Sequence, residues 1–240
     1  MPRVTIWVIE SDNDKEVVKC LSRKLATYLG LNIRVRAVGK KAFNDVAKQL
    51  KRKPDALERA IADYLEDSNC VIFVTDSDSY IRLEKRQDNP TSAISHIKQV
   101  QDKFAGKVHL ALAVHELEAW LLVDCLGICC YFAGVENSPN PRQRQYKKFQ
   151  SLLKQSPGNT ELIVEVEPGA IGPKEYLIEF SGKILKTLNP KIKPRILNQK
   201  KYKPSLSPEI AQYIEINDDT LRRNNSLRQF GQYLEQCGAS

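Results

Sequence analysis

Val71–Thr75, VIFVT, is the segment that most limits how this chain can fold. It is near-continuously apolar, β-branched and aromatic, so it reads as a strand covered on both faces. Strands of that kind belong to parallel sheets, because crossover connections lay helices over each side.

Strand and helix signals alternate around it. Val4–Ile9 (VTIWVI) is a second β-branched, aromatic run. Asp12–Leu29 carries Val17, Val18, Leu21, Leu25 and Tyr28 at helical spacing and meets a stop at Gly30. Ile33–Val38 alternates with period two, as an edge or half-exposed strand does. Pro54–Glu66 sets Leu57, Ile61 and Leu65 on one helical face. Ser92–Phe104 is helical again, Val108–Val114 is a fourth strand, and Glu116–Leu126 reads as a further helix. The expectation is an α/β fold over residues 1–134, a mostly parallel sheet flanked by helices. Sites in such folds are built at the carboxyl ends of the strands.

After Gly127 the texture changes. Asn137–Gln145 (NSPNPRQRQ) reads as a polar, proline-rich break, Tyr146–Lys154 as a short helix and Glu161–Val166 as a strand. Pro173–Leu188 is helical, and Leu221–Cys237 closes as a helix with Leu227, Phe230 and Leu234 inward. Residues 135–240 are therefore expected to be a basic, α-rich appendage, folding alone or packed on the first region. No internal repeat is evident.

Composition narrows the class. A 42% hydrophobic content with 28% charge supports a packed core in a water-facing protein. No apolar stretch approaches the roughly 20 residues of a bilayer span, and the start lacks a signal-peptide pattern. The expectation is a cytoplasmic protein with no membrane. The six cysteines form no C-x-x-C pair and only three histidines accompany them, so they read as buried thiols rather than a zinc site.

The net charge of +8 is uneven, +2 over residues 1–134 and +6 over 135–240. Lys183–Lys203 holds eight basic residues and no acidic one. Such a run is either a solvated surface or a nucleic-acid face. Lys191, Lys193, Arg195, Lys200, Lys201 and Lys203 are the candidate phosphate contacts, chosen by charge.

The acidic residues carry the chemistry. Side chains alternate along an extended segment, so Asp76 and Asp78 point to one side. Two close carboxylates repel unless a cation intervenes, and an oxygen-only ligand set suits Mg²⁺ or Mn²⁺. Glu10 ends the first strand and becomes a third ligand if the first and third strands are neighbours. Turn chemistry is the plainer account of Asp76 and Asp78, and helix capping that of Asp12 and Asp14. In the HELEAWLLVD segment a helix from Glu116 would set Glu116 and Glu118 about 200° apart, so only one could reach a site unless the strand persists through His115. Glu116, nearer the strand end, is preferred as the catalytic candidate, and His115 reads as a cap residue or a proton shuttle. Phosphate-loop, dinucleotide-binding, G-x-S-x-G and zinc-deaminase motifs are all missing.

VIES after the first strand and VIFVTDSDS at the third resemble the Toprim domain shared by topoisomerases, primases and OLD-type nucleases. Its acidic signature, a Glu and then D-x-D, maps onto Glu10, Asp76 and Asp78. HELEAWLLVD, GPKEYL and KYKPSLSPEIAQYI resemble an uncharacterised prokaryotic Toprim-like family across nearly the whole chain. The resemblance implies Mg²⁺ or Mn²⁺ on the three acids, Glu10 as a further ligand or general acid/base, and nucleic acid, DNA or RNA, as substrate. It also implies an ATPase partner in phage defence or mobile elements. Toprim domains commonly place Gly after the glutamate, where this chain has Ser11. A nuclease is the smallest activity that fits; the alternatives are a non-catalytic nucleic-acid- or protein-binding module and a phosphatase-like hydrolase using Asp76.

Overall fold

In the computed structural model the four expected strands form one all-parallel sheet, in the order β2-β1-β3-β4. They are β1 (Arg3–Val8), β2 (Arg34–Val38), β3 (Cys70–Asp76) and β4 (Val108–Ala113). The structure describes residues 1–50, 52–77, 93–104, 106–163 and 171–239. Among them the helices run in chain order as α1 (Asp12–Tyr28), α2 (Lys40–Leu50), α3 (Ala56–Asp67) and α4 (Ala93–Lys103). Next come α5 (Glu118–Leu121), α6 (Cys125–Ala133), α7 (Pro139–Leu153) and α8 (Pro173–Leu188). The last are α9 (Pro194–Lys200), α10 (Ser207–Ala211), α11 (Asp218–Arg222) and α12 (Asn225–Ala239). None is long and apolar enough to cross a membrane.

The chain gathers into two compact units, Met1–Val114 with Ser226–Ser240, and His115–Asn225. The boundary expected at 134 lies within the second of these units.

In the first unit β1 is central. It pairs with the exposed edge strand β2 from Arg3↔Arg34 to Trp7↔Val38, and with β3 from Val4↔Cys70 to Val8↔Val74. One face of the sheet, with Trp7, Val71, Phe73, Val108 and Leu110, packs on Phe43 of α2, Leu57 and Ile61 of α3, and Ile94 and Ile97 of α4. Alternation sends Val4, Ile6, Ile72 and Val74 to the other face. There α12 returns, with Gly231 close to Leu25 and Leu29 and Gly238 close to Ile33. Leu227, Phe230 and Leu234 are fully buried, as their spacing predicts. Gly30 ends α1 with φ +66°; its N–H bonds to Thr27 and that of Leu31 to Ala26, a paired C-terminal closure that glycine adopts without strain. The short helix α2 buries Phe43 and packs Ala42, Val46, Ala47 and Leu50 against the same core.

The second unit corrects several sequence expectations. The helix expected over 116–126 starts at Glu118, passes through a tight turn at Leu122–Asp124, and resumes as α6. Gly127 lies inside α6, where a Cβ would collide with the Tyr213 carbonyl and the Asp124 carboxylate. The proline-rich break is the first turn of α7: Pro139 sits where a fixed φ suits a helix and a missing N–H costs nothing. Thr160–Leu162, which overlaps the start of the strand expected over Glu161–Val166, is a 3₁₀ turn capped by Asn159, and residues 164–166 of that strand lie outside the described residues.

Candidate functional site

Connections leave β1 toward β2 on one side and β3 toward β4 on the other, so the carboxyl ends of β1 and β3 flank the point where the winding reverses. Ligands of open parallel sheets bind at that point. Glu10 stands two residues beyond Val8, and Asp76 two beyond Val74, its register partner. The Ile9 N–H bonds to the Val74 carbonyl at 3.2 Å, carrying the pairing past the strand end. The fold therefore brings Glu10 and Asp76 to adjoining strand ends. Asp78 lies outside the described residues.

Glu10 is held by a residue the sequence reading passed over. The Thr75 hydroxyl donates to its Oε1 at 2.6 Å. Both residues wall a cavity of about 300 Å³, with Asn44 polar beside them and Ile9, Phe43 and Ile94 apolar. Thr75 faces the Phe73 side of β3, so alternation turns Asp76 the other way. Asp76 is half-buried and does not line this cavity.

Ser11 explains its own departure from glycine. It is the N-cap of α1, accepting from the Asp14 N–H at 3.1 Å and donating to the Asp14 carboxylate at 2.6 Å. Burial raises the Asp14 pKa, and neighbouring Glu10 adds to the rise. Asp12 is an exposed first-turn residue beside Lys15. Ser11 rather than either aspartate is therefore the cap, and Asp12 and Asp14 are first-turn acids that complement the helix dipole.

Glu116 belongs to the second unit and is not helical. It precedes α5 and accepts the Lys174 N–H at 3.0 Å, at the start of α8. Glu118 accepts the Tyr202 hydroxyl at 2.7 Å, and that hydroxyl also meets Ser207 at 2.6 Å. The two glutamates are electrostatic neighbours, not residues on opposite sides of one helix, because Glu116 lies before the helix that Glu118 begins. Burial, then repulsion from Glu118, pushes the Glu116 carboxyl up to about 7. His115, the first residue of this unit, holds φ at +66°, a left-handed backbone uncommon outside glycine.

The raised Glu116 pKa makes a pH prediction. The folded state holds this proton more tightly than the unfolded chain, so the group stabilises below about pH 4.5 and loses that contribution as pH rises through about 7. Glu116 is only half-buried, and solvent screening limits the loss to about 1–2 kcal/mol. Thermal midpoints of wild type and Glu116→Gln should converge near pH 4.5 and separate by pH 8, the variant being the more stable. Parallel curves would show that Glu116 does not titrate in this window.

Of the basic candidates, Lys191, Lys193, Arg195, Lys200 and Lys203 are exposed on α9 and its flanks. Lys201 is half-buried against Gly182.

Sequence spacing also missed a cluster in the first unit. Cys70 and Cys237 are bonded as a disulfide with Cα atoms 5.7 Å apart, correcting the reading of both as thiols, and His109 adjoins them. Cys20, Cys125, Cys129 and Cys130 are free. No contact of this kind is visible in a pattern search, because it joins positions 70, 109 and 237.

Comparison with protein-family models, with curated proteins and with solved structures finds no match for this chain.

Proposed function

We propose that the first unit is a Mg²⁺- or Mn²⁺-dependent phosphodiester hydrolase acting on nucleic acid. The observation that carries the reading is the arrival of Glu10 and Asp76 at adjoining carboxyl ends, where the winding of a parallel sheet reverses. The donor set fits a hard cation: carboxylate and hydroxyl oxygens, with Thr75 engaging one oxygen of Glu10 and orienting the group. Glu10, Asp76 and Asp78 would hold the ion, which when bound polarises the scissile phosphate and offsets its developing charge. Thr75 orients the Glu10 carboxylate, and Ile9, Phe43 and Ile94 form the apolar wall beside it; Asp76 stands outside this cavity, at the adjoining strand end. The exposed basic residues of the second unit supply sequence-independent phosphate contacts. Glu116, protonated in part near neutrality, is the candidate proton carrier in that unit. An ATPase partner belongs to the same proposal through the Toprim resemblance.

A non-catalytic binding module is the second reading. It is favoured by Thr75 occupying Glu10 while Asp76 faces the other side of β3.

Cleavage of plasmid, single-stranded DNA and RNA with Mg²⁺ or Mn²⁺ separates the two. Glu10→Ala and Asp76→Ala are each expected to lower cleavage at least ~100-fold, a loss typical of removing one charge-stabilising group. Nucleic-acid binding should persist in both. Changing Lys193, Arg195 and Lys200 to Gln should weaken binding and flatten its salt dependence. Cleavage that survives both acidic changes, or wild-type protein that binds without cutting under either metal, overturns the nuclease reading.

A further inference from the structure

The start of β3, the second residue of β4 and the last turn of α12 meet in the core of the first unit, at Cys70, His109 and Cys237. All three are buried, at 1%, 6% and 0% exposure, and their donor atoms lie within 4.8 Å of one another. The sheet dictates half of this arrangement. Ile72 pairs with His109 across β3 and β4, so Cys70 sits diagonally from His109 on the same face. Helix α12 supplies the rest: Cys237 and Tyr233 are one turn apart, and the Tyr233 ring stacks on the His109 imidazole at 4.7 Å. The imidazole is therefore clamped between its strand and the helix.

Its two nitrogens are not equivalent. His109 makes a hydrogen bond to the Gly106 backbone, and burial disfavours the charged form of the ring. Nε2 is buried and makes no hydrogen bond among the described residues. The backbone bond thus falls to Nδ1, which leaves a desolvated lone pair at Nε2. An unmet acceptor of this kind is costly, and a disulfide offers it no donor. Histidines that bind metals are commonly set up this way, one nitrogen fixed by a backbone carbonyl and the other free to coordinate.

We propose that Cys70, Cys237 and His109 Nε2 form a binding site for a thiophilic divalent cation, Zn²⁺, opened when the disulfide is reduced. The chemistry selects the ion. Two thiolates balance a 2+ charge inside a low-dielectric core, and neutral imidazole adds a third ligand without adding charge. Mg²⁺ and Ca²⁺, which require oxygen ligands, are unsuited. A dithiol reductant delivers two electrons, the S–S bond breaks, and each sulfur takes one proton while the reductant closes to its own disulfide. On metal binding both protons leave to solvent and the thiolates coordinate. Donor atoms around a tetrahedral ion stand roughly 3.3–3.8 Å apart, a separation that side-chain rotation can reach once the sulfurs part. The oxidised and metal-bound forms both tie α12 to β3, so the site keeps the C-terminal helix fastened in either redox state. This inference is independent of the nuclease reading.

Co²⁺, which reports thiolate ligation through charge-transfer absorption, is the direct probe. Full-length protein reduced with a phosphine and titrated anaerobically should bind one equivalent with thiolate charge-transfer bands, and Zn²⁺ should displace it. Cys237→Ser and His109→Ala should each weaken binding at least ~100-fold, since even outer partners of metal ligands contribute 10–100-fold. Should either variant fail to fold, wild type alone decides. Its thermal midpoint should rise with Zn²⁺ after reduction and stay unchanged by Zn²⁺ when oxidised. Folded, reduced wild type that shows no charge transfer and no Zn²⁺-dependent midpoint, or variants that bind as tightly as wild type, overturns the site.

Discussion

Replacing Asp124 with alanine is expected to destabilise the second unit by about 3–5 kcal/mol, the range for breaking one side of a buried ion pair. Asp124 caps α6 through the Gly127 N–H at 2.9 Å and accepts the Glu215 N–H at 2.8 Å. Its two oxygens also receive Arg142 Nη2 at 3.0 and 2.9 Å. Arg142 reaches on to Asn137 at 2.7 Å, the Tyr213 carbonyl at 3.2 Å and Glu215 at 3.1 Å. Without Asp124 a buried guanidinium and two backbone donors lose their acceptor together. Truncating both ends should therefore destabilise less than the sum of the single changes, because the double variant leaves no stranded charge. Each unit holds one of the two tryptophans, Trp7 in the first and Trp120 in the second. Urea unfolding followed by Trp120 fluorescence in a Trp7→Phe background reads the second unit alone. An effect below about 1 kcal/mol, the size of an exposed pair, would mean that the pair contributes as a surface ion pair does.

Asp124 also shows where sequence reading reaches its limit. In HELEAWLLVD it looks like one more acid in an acidic motif, yet its partners lie 18 and 91 residues away, and only the fold makes it structural. The sheet was legible because each strand carries its own evidence: VIFVT reads as buried on both faces, and IRVRAV as an edge or half-exposed strand. The adjacency of Glu10 and Asp76 followed from parallel winding, not from spacing. Thr75 was not legible, since its role depends on the turn Glu10 makes after Val8 and alternation alone does not reveal that turn. For Glu116 the reason is local: the helix starts at Glu118, two residues later than its spacing predicts, so the angular separation of a helical pair does not apply. The cysteine and histidine cluster was invisible for the opposite reason, since strand register and a returning helix assemble it from positions that share no pattern.

Trp7→Ala is expected to destabilise the first unit by about 3–5 kcal/mol, the range for emptying a large aromatic site. The ring is fully buried, stacks on Phe73 at 5.3 Å, and meets Tyr64 and Phe43 edge-on at 5.1 and 5.9 Å. Trp7 and Phe73 are register partners, so this pair fixes β1 against β3 three residues before Glu10 and Asp76. Trp7→Phe separates packing from polarity. It keeps an aromatic ring there and removes an indole N–H that is buried without a hydrogen bond among the described residues. Relief of that donor offsets part of the lost volume, and the net loss should be about 1–1.5 kcal/mol. Urea midpoints of the two variants, read by the circular dichroism of the first unit's transition, test the difference. Equal losses would show that the indole's excess volume, not the aromatic stack, holds the two strands in register. If the stack is what holds them, Trp7→Phe retains whatever metal-dependent cleavage wild type shows, because Glu10 and Asp76 keep their places at the strand ends. Trp7→Ala should then lose activity at temperatures where its sheet remains folded, since a loosened β1 no longer holds Glu10 against Thr75.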